Sequence, residues 1–121
     1  MTPLISQQNH FGLSIFDGHV RIYDITAKKT VWDAQEHQDR VWTIENITRE
    51  VFASCADDGY IKLWDSRQRK SIFSVKDNEK VASRVSVLLK IGESQFLSGS
   101  CPDDVHYSQN KAAFSFWDVR K

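Results

Sequence analysis

His37, Ser54 and Asp58 are the residue types of a nucleophilic triad, and they fall within one 22-residue stretch. In a triad the imidazole takes the serine proton while the carboxylate orients the ring. A hydrolase also needs a nucleophile lifted on a sharp glycine turn and donors for the oxyanion. Ser54 has neither: it stands in Val51-Phe52-Ala53-Ser54-Cys55-Ala56, with no glycine beside it. No catalytic residue is therefore expected. The four histidines and two cysteines show no metal spacing, and His106 is merely near Cys101. No glycine-rich phosphate cradle and no spaced acid/base pair occurs, so neither metal nor cofactor is expected.

Sixteen basic and sixteen acidic residues cancel. The chain thus lacks the overall positive field that draws nucleic acid or anionic membrane, and direct binding to either is not expected. Its longest apolar run, Val85 to Leu89, is broken by Ser86 and far shorter than the ~20 residues of a membrane-spanning helix. The first ten residues have neither the basic start nor the apolar stretch of a signal peptide. Cys55 and Cys101 lie far apart with no CxxC pattern, which fits reduced thiols in a nuclear or cytoplasmic protein.

The elements that must position these residues repeat along the chain. Asp17-Gly18-His19-Val20-Arg21-Ile22-Tyr23-Asp24 overlays Asp58-Gly59-Tyr60-Ile61-Lys62-Leu63-Trp64-Asp65 at an offset of 41, with every apolar position matched. A third copy, Phe114-Ser115-Phe116-Trp117-Asp118, follows 53 residues later. Alternation of apolar and polar residues in each copy predicts a half-buried strand, and Asp-Gly before it predicts a tight turn. Val51 to Ser54 and Gln95 to Ser100 read as hairpin partners, Val41 to Ile44 and Val85 to Leu89 as inner strands, and Thr30 to Asp33 and Ser71 to Val75 as outer ones. No long segment keeps a helical period with caps. The fold class is all-β.

The segment from Glu36-His37 through Val41-Trp42, Ala53-Ser54, Asp58-Gly59 and Trp64-Asp65 resembles one complete WD repeat. The resemblance implies an incomplete WD-repeat β-propeller of about two and a half to three blades, each a four-stranded antiparallel sheet. Residues 1–35 would be a first, N-terminally incomplete blade whose inner strand lies around Leu4 and Ile5; residues 36–76 a complete repeat; and residues 77–121 a third repeat with a long hairpin insertion at 101–112. By the same resemblance His37, Ser54, Asp58 and Trp64 form the hydrogen-bond network that ties the loop to the hairpin. Ser, His and the indole N–H are all donors able to satisfy a buried carboxylate. The chain departs from the family at Glu36, where Gly is usual, at Tyr23 in place of Trp, and at Val81 in the third histidine slot.

Propellers close with about 4–8 blades, so this stretch leaves apolar faces open. A further segment of polypeptide is expected to complete the ring, with another chain or a symmetric ring of copies as alternatives. The resemblance implies a non-catalytic protein-interaction scaffold or adaptor. Candidate partner-binding residues are Asp39, Arg40 and Trp42 after His37, and Asp103, Asp104 and Tyr107 in the long hairpin. Trp42 reads either as an exposed anchor or, with more weight, as packing between blades, and Trp32 is equally ambiguous. Arg67 and Arg120 stand in two WD-x-R boxes similar to those of cullin-4 ubiquitin-ligase substrate receptors, which would make a ligase adaptor a partner. Local pairing of each arginine with aspartate is the more economical use of them.

Overall fold

A computed structural model describes residues 2–3, 10–14, 17–48, 50–68, 70–76, 83–102 and 113–119. Leu4, Ile5, Val81, Asp103, Asp104, Tyr107 and Arg120 lie outside these. Among the described residues, eleven strands form three antiparallel sheets. The first contains β1 (Thr2–Pro3), β2 (His10–Ser14), β3 (His19–Asp24) and β4 (Lys29–Gln35); the second β5 (Val41–Asn46), β6 (Val51–Ala56), β7 (Tyr60–Asp65) and β8 (Ser71–Lys76). The third contains β9 (Ser83–Lys90), β10 (Gln95–Pro102) and β11 (Ala113–Asp118). Thr2 and Pro3 pair with Gly12 and Phe11, and the inner-strand stub expected around Leu4 and Ile5 lies outside the described residues. Among the described residues no helix is long and apolar enough to cross a membrane.

The Asp-Gly turns do what their sequence requires. Gly18 and Gly59 take φ of 91° and 82°, which lets β2–β3 and β6–β7 fold back directly. Gly18 has a second reason to lack a side chain, because a Cβ there would collide with the carbonyl oxygen of His37. The turn of one sheet is therefore seated on the loop entering the next.

Period-2 alternation gives every sheet two faces, and the sheets stack front to back. Val20 and Ile22 on the front of the first sheet join Val41, Ile44, Phe52 and Trp64 on the back of the second. Ala53, Cys55, Ile61 and Leu63 on the front of the second join Val85, Leu88 and Phe96 on the back of the third. The same cross-strand aromatic pair marks each back face in register: Phe11 with Tyr23, Phe52 with Trp64, and Phe96 with Trp117.

Irregularities repeat as well. The pairing of β5 with β6 slips around Trp42, and that of β9 with β10 slips around the corresponding Ser86. Bulges of this kind turn a strand and re-aim the extra side chain.

Candidate functional site

The polar core of the second sheet is a relay in which each group has a partner. Trp64 Nε1–H donates to Ser54 Oγ at 2.8 Å, and Ser54 Oγ lies 2.7 Å from His37 Nε2. On the other side of the ring, His37 Nδ1 is 3.1 Å from Asp58. Asp58 also accepts from the backbone N–H groups of Gln38 at 2.8 Å and Tyr60 at 2.9 Å. One proton arrangement satisfies all of this: Nδ1–H donates to the carboxylate, and the serine hydroxyl donates to Nε2 while accepting from the indole. Ser54 and Trp64 therefore reach Asp58 only through His37, and do not donate to the carboxylate themselves. Burial opposes ionisation of Asp58, but His37 and the two backbone donors outweigh it and hold the carboxyl below its ordinary range.

The triad-like distances carry no accessible nucleophile. Ser54 is fully buried, its hydroxyl engages both His37 and Trp64, and His37 is buried beside it. In the third sheet Trp117 Nε1–H likewise donates to Ser98 Oγ at 2.8 Å.

Glu36, in the position where glycine is usual, ties the same loop to the outer strand. Its carboxylate accepts from the backbone N–H of Ser71 at 2.8 Å and from the Ser71 hydroxyl at 2.6 Å, with Lys62 Nζ at 3.7 Å. Burial again works against the charge, and the Ser71 and Lys62 donors still lower the carboxyl below its usual range. Nothing local in the sequence signals this contact, because its partners are 35 positions apart. The glutamate in a glycine slot was the only available sign.

Above the relay, the loop presents an organised aromatic surface. Trp42 is 41% exposed, so it does not pack between sheets. Its indole N–H donates to Asp57 at 2.5 Å, and the Arg40 guanidinium lies 5.0 Å from its ring centroid. The Asp57 N–H donates to the Arg40 carbonyl at 2.9 Å, and Asp39 accepts from the Arg40 N–H at 2.8 Å. Asp39, Arg40 and Trp42 are thus brought together with Asp57, which the sequence reading passed over although it adjoins Asp58. Trp32 behaves oppositely: it is 6% exposed, packs edge-on against Phe52 and Trp64, and donates to the Gln68 carbonyl at 2.5 Å.

Arg67 lies at the far end of β7 from this patch. It forms a two-pronged pair with Asp65, Nε at 2.9 Å and Nη2 at 2.6 Å, with Glu50 at 3.4 Å. The Arg67 side chain is the leading cause of an Asp65 carboxyl held below its usual range. The second junction between sheets also opens a groove of about 680 Å³ lined by Leu63, Phe73, Phe96, Trp117 and Val119, among others. Phe73 occupies there the place of Trp32 in the first junction, yet is 52% exposed. Trp32 is backed by the β7–β8 turn of the sheet it packs on, and the described residues of the third sheet include no fourth strand.

Among solved structures, the WD40 β-propeller domain of Doa1 matches with a TM-score of 0.68 at 19% identity, over 94% of this chain and 34% of that one. The chain has the fold of a partial WD-repeat β-propeller. Its three sheets are blades, and the His37 relay sits in the only blade whose described residues hold the full set of four side chains. No family model matches the chain. The E3 ubiquitin-protein ligase COP1 of Arabidopsis thaliana is 27% identical over 104 residues, covering 84% of this chain and 15% of that protein. Protein SPA1-RELATED 3 of the same plant is 39% identical over 70 residues, covering 56% of this chain and 8% of that protein. The WD-repeat stretch therefore spans less than a sixth of either relative.

Proposed function

We propose that this propeller segment is a non-catalytic protein-interaction scaffold or adaptor within a multiprotein complex, docking a partner on Asp39, Arg40, Trp42 and Asp57. The observation that carries the reading is Trp42: a large aromatic is held at the surface by a bulge, an acceptor and a stacked cation. Aromatic and arginine side chains dominate interface energetics, and fixing them before binding reduces the ordering cost. The same loop is anchored from below by Asp58 and His37, so the relay serves the surface it supports. The long hairpin with Asp103, Asp104 and Tyr107 supplies further candidate contacts. A nuclear or cytoplasmic location goes with this reading. So does a likeness of the third hairpin, ending in Phe116-Trp117-Asp118-Val119-Arg120, to WD repeat-containing protein eighty-nine and its fungal relatives. The test is quantitative affinity purification of wild type beside Trp42→Ala. A common set of partners lost from the variant supports the reading, and an unchanged set overturns it.

A second reading is favoured by the relative named as a ubiquitin ligase. Here the chain is a substrate-receptor piece for a cullin-4-type ligase, using Arg67 and Arg120 on the adaptor. Arg67 would first have to leave Asp65. A pull-down with the purified adaptor tests it: equal recovery of wild type and the Arg67→Ala plus Arg120→Ala double variant removes it. In a third reading the chain is a structural piece that completes a propeller with another chain, for which the open faces of the outer blades are the support.

A further inference from the structure

We propose that Ser71 is a phosphorylation site for a serine kinase that selects basic residues ahead of its target, and that the phosphate releases Glu36 from the outer strand of the second blade. Ser71 opens β8, the outermost strand of its sheet. Arg67-Gln68-Arg69-Lys70 runs directly ahead of it, and Ile72 and Phe73 follow. A kinase takes its target as an extended segment and complements its charge, so three cations followed by two large apolar side chains form a legible address. The strand is also weakest at this end. Ser71 pairs with Trp64 and Phe73 with Leu63, which leaves Ile72 as the extra residue of a bulge. An outermost strand is held by one neighbour, and its end frays before the rest of the sheet. Trp64, beside Ser71, packs in the core shared with the first blade. The surroundings of Ser71 therefore belong to the first two blades and do not depend on what covers the third.

The partner of the hydroxyl gives the modification its consequence. Ser71 Oγ donates to the Glu36 carboxylate at 2.6 Å, the Ser71 N–H donates to it at 2.8 Å, and Lys62 Nζ stands 3.7 Å away. In the transfer from ATP, the Oγ–P bond forms as the bond from that phosphorus to the departing ADP breaks, and the hydroxyl proton passes to the base of the kinase. A donor is thereby replaced by an anion, since phosphoserine carries about −1.5 to −2 charge at pH 7. The phosphate repels the carboxylate and competes with it for the Ser71 N–H and for Lys62, which also donates to Ser74 Oγ at 3.1 Å. Glu36 directly precedes His37, so the tie that breaks is the one leading into the buried relay. The result is a looser entry loop and a looser outer strand.

This modification stands whether or not the Trp42 surface binds a partner. The test incubates the full-length protein with ATP and a panel of serine kinases selective for basic residues ahead of the target. Peptide mass spectrometry then locates the phosphate, and hydrogen exchange reads its effect. Phosphate is expected on Ser71, absent from Ser71→Ala, retained as phosphothreonine in Ser71→Thr, and lost from Arg69→Ala plus Lys70→Ala. The phosphorylated protein should exchange faster than the unmodified one over residues 36–40 and 71–76. That difference should shrink in Glu36→Gln, whose side chain is neutral. A folded protein that no kinase of the panel modifies at Ser71, or phosphate confined to Ser74 or elsewhere, overturns the site. Phosphate that persists after both cations are removed overturns the basic address. Phosphate on Ser71 with unchanged exchange overturns the release of Glu36.

Discussion

Ser54 holds its Oγ 2.7 Å from Nε2 of His37, joining strand β6 to the loop that enters β5. Because the same oxygen takes the Trp64 indole proton, the contact locks three parts of one blade at a single atom. Ser54→Ala leaves both the ring nitrogen and the indole N–H without a partner in a fully buried place. The expected cost is about 2–3 kcal/mol in urea denaturation, since unmet buried polar groups carry their whole desolvation penalty. A stability equal to wild type would show that water or rearrangement replaces the hydroxyl.

The acid limb of stability should depend on Asp58 and Glu36. Both carboxyls are lowered in the folded chain from ordinary values of 3.8 and 4.5. The unfolded chain therefore takes up protons first as pH falls below those values, and stability drops until the folded carboxyls protonate too. At neutral pH, where both carboxyls are ionised in the folded and the unfolded chain alike, these two groups add no slope. Asp58→Asn and Glu36→Gln should each flatten stability measured between pH 5 and pH 2, a window of roughly the two titrations. An unaltered slope in both variants would count against these carboxylates as the source.

Gly18 and Gly59 share a positive φ, and a Cβ at Gly18 would in addition collide with the His37 carbonyl oxygen. Alanine at either position pays about 1–2 kcal/mol for the left-handed backbone. Gly18→Ala should cost more than that in chemical denaturation, because the His37 carbonyl must also move. A loss confined to about 1–2 kcal/mol would mean that the loop yields freely.

Trp32 and Phe73 hold equivalent places on consecutive blades and should respond differently. Trp32→Ala empties a buried site between blades and should cost about 3–5 kcal/mol. Phe73→Ala, half exposed over the groove, should cost less than about 1.5 kcal/mol. The comparison reads directly whether the second junction is as open in solution as in the structure.

Trp42→Ala and Arg67→Ala should each change stability by less than about 1 kcal/mol, since both side chains stand at the surface. Thermal unfolding of the two variants checks this. It also separates loss of a partner from loss of the fold.

Much of the fold was legible because its causes are local. Asp-Gly turns need positive φ, alternation places Ile61 and Leu63 on one face, and the offset of 41 repeats both. The types His37, Ser54, Asp58 and Trp64 were visible too, since each sits at a fixed step from those turns. The order in which they are linked was not, and neither was the absence of direct bonds from Ser54 or Trp64 to the carboxylate. That depends on which ring edge faces which strand.

The sequence by itself determined that this chain is made of repeated short strands with a buried polar set in the middle unit. Only the tertiary structure decided that Trp42 is exposed while Trp32 is buried, and that Glu36 reaches Ser71. It also joined Asp57 to Trp42 and left Phe73 half open. The physical reason is common to all four. Periodicity states which face of a strand a side chain takes, but its burial and partners depend on bulges and on what the neighbouring blade brings against that face.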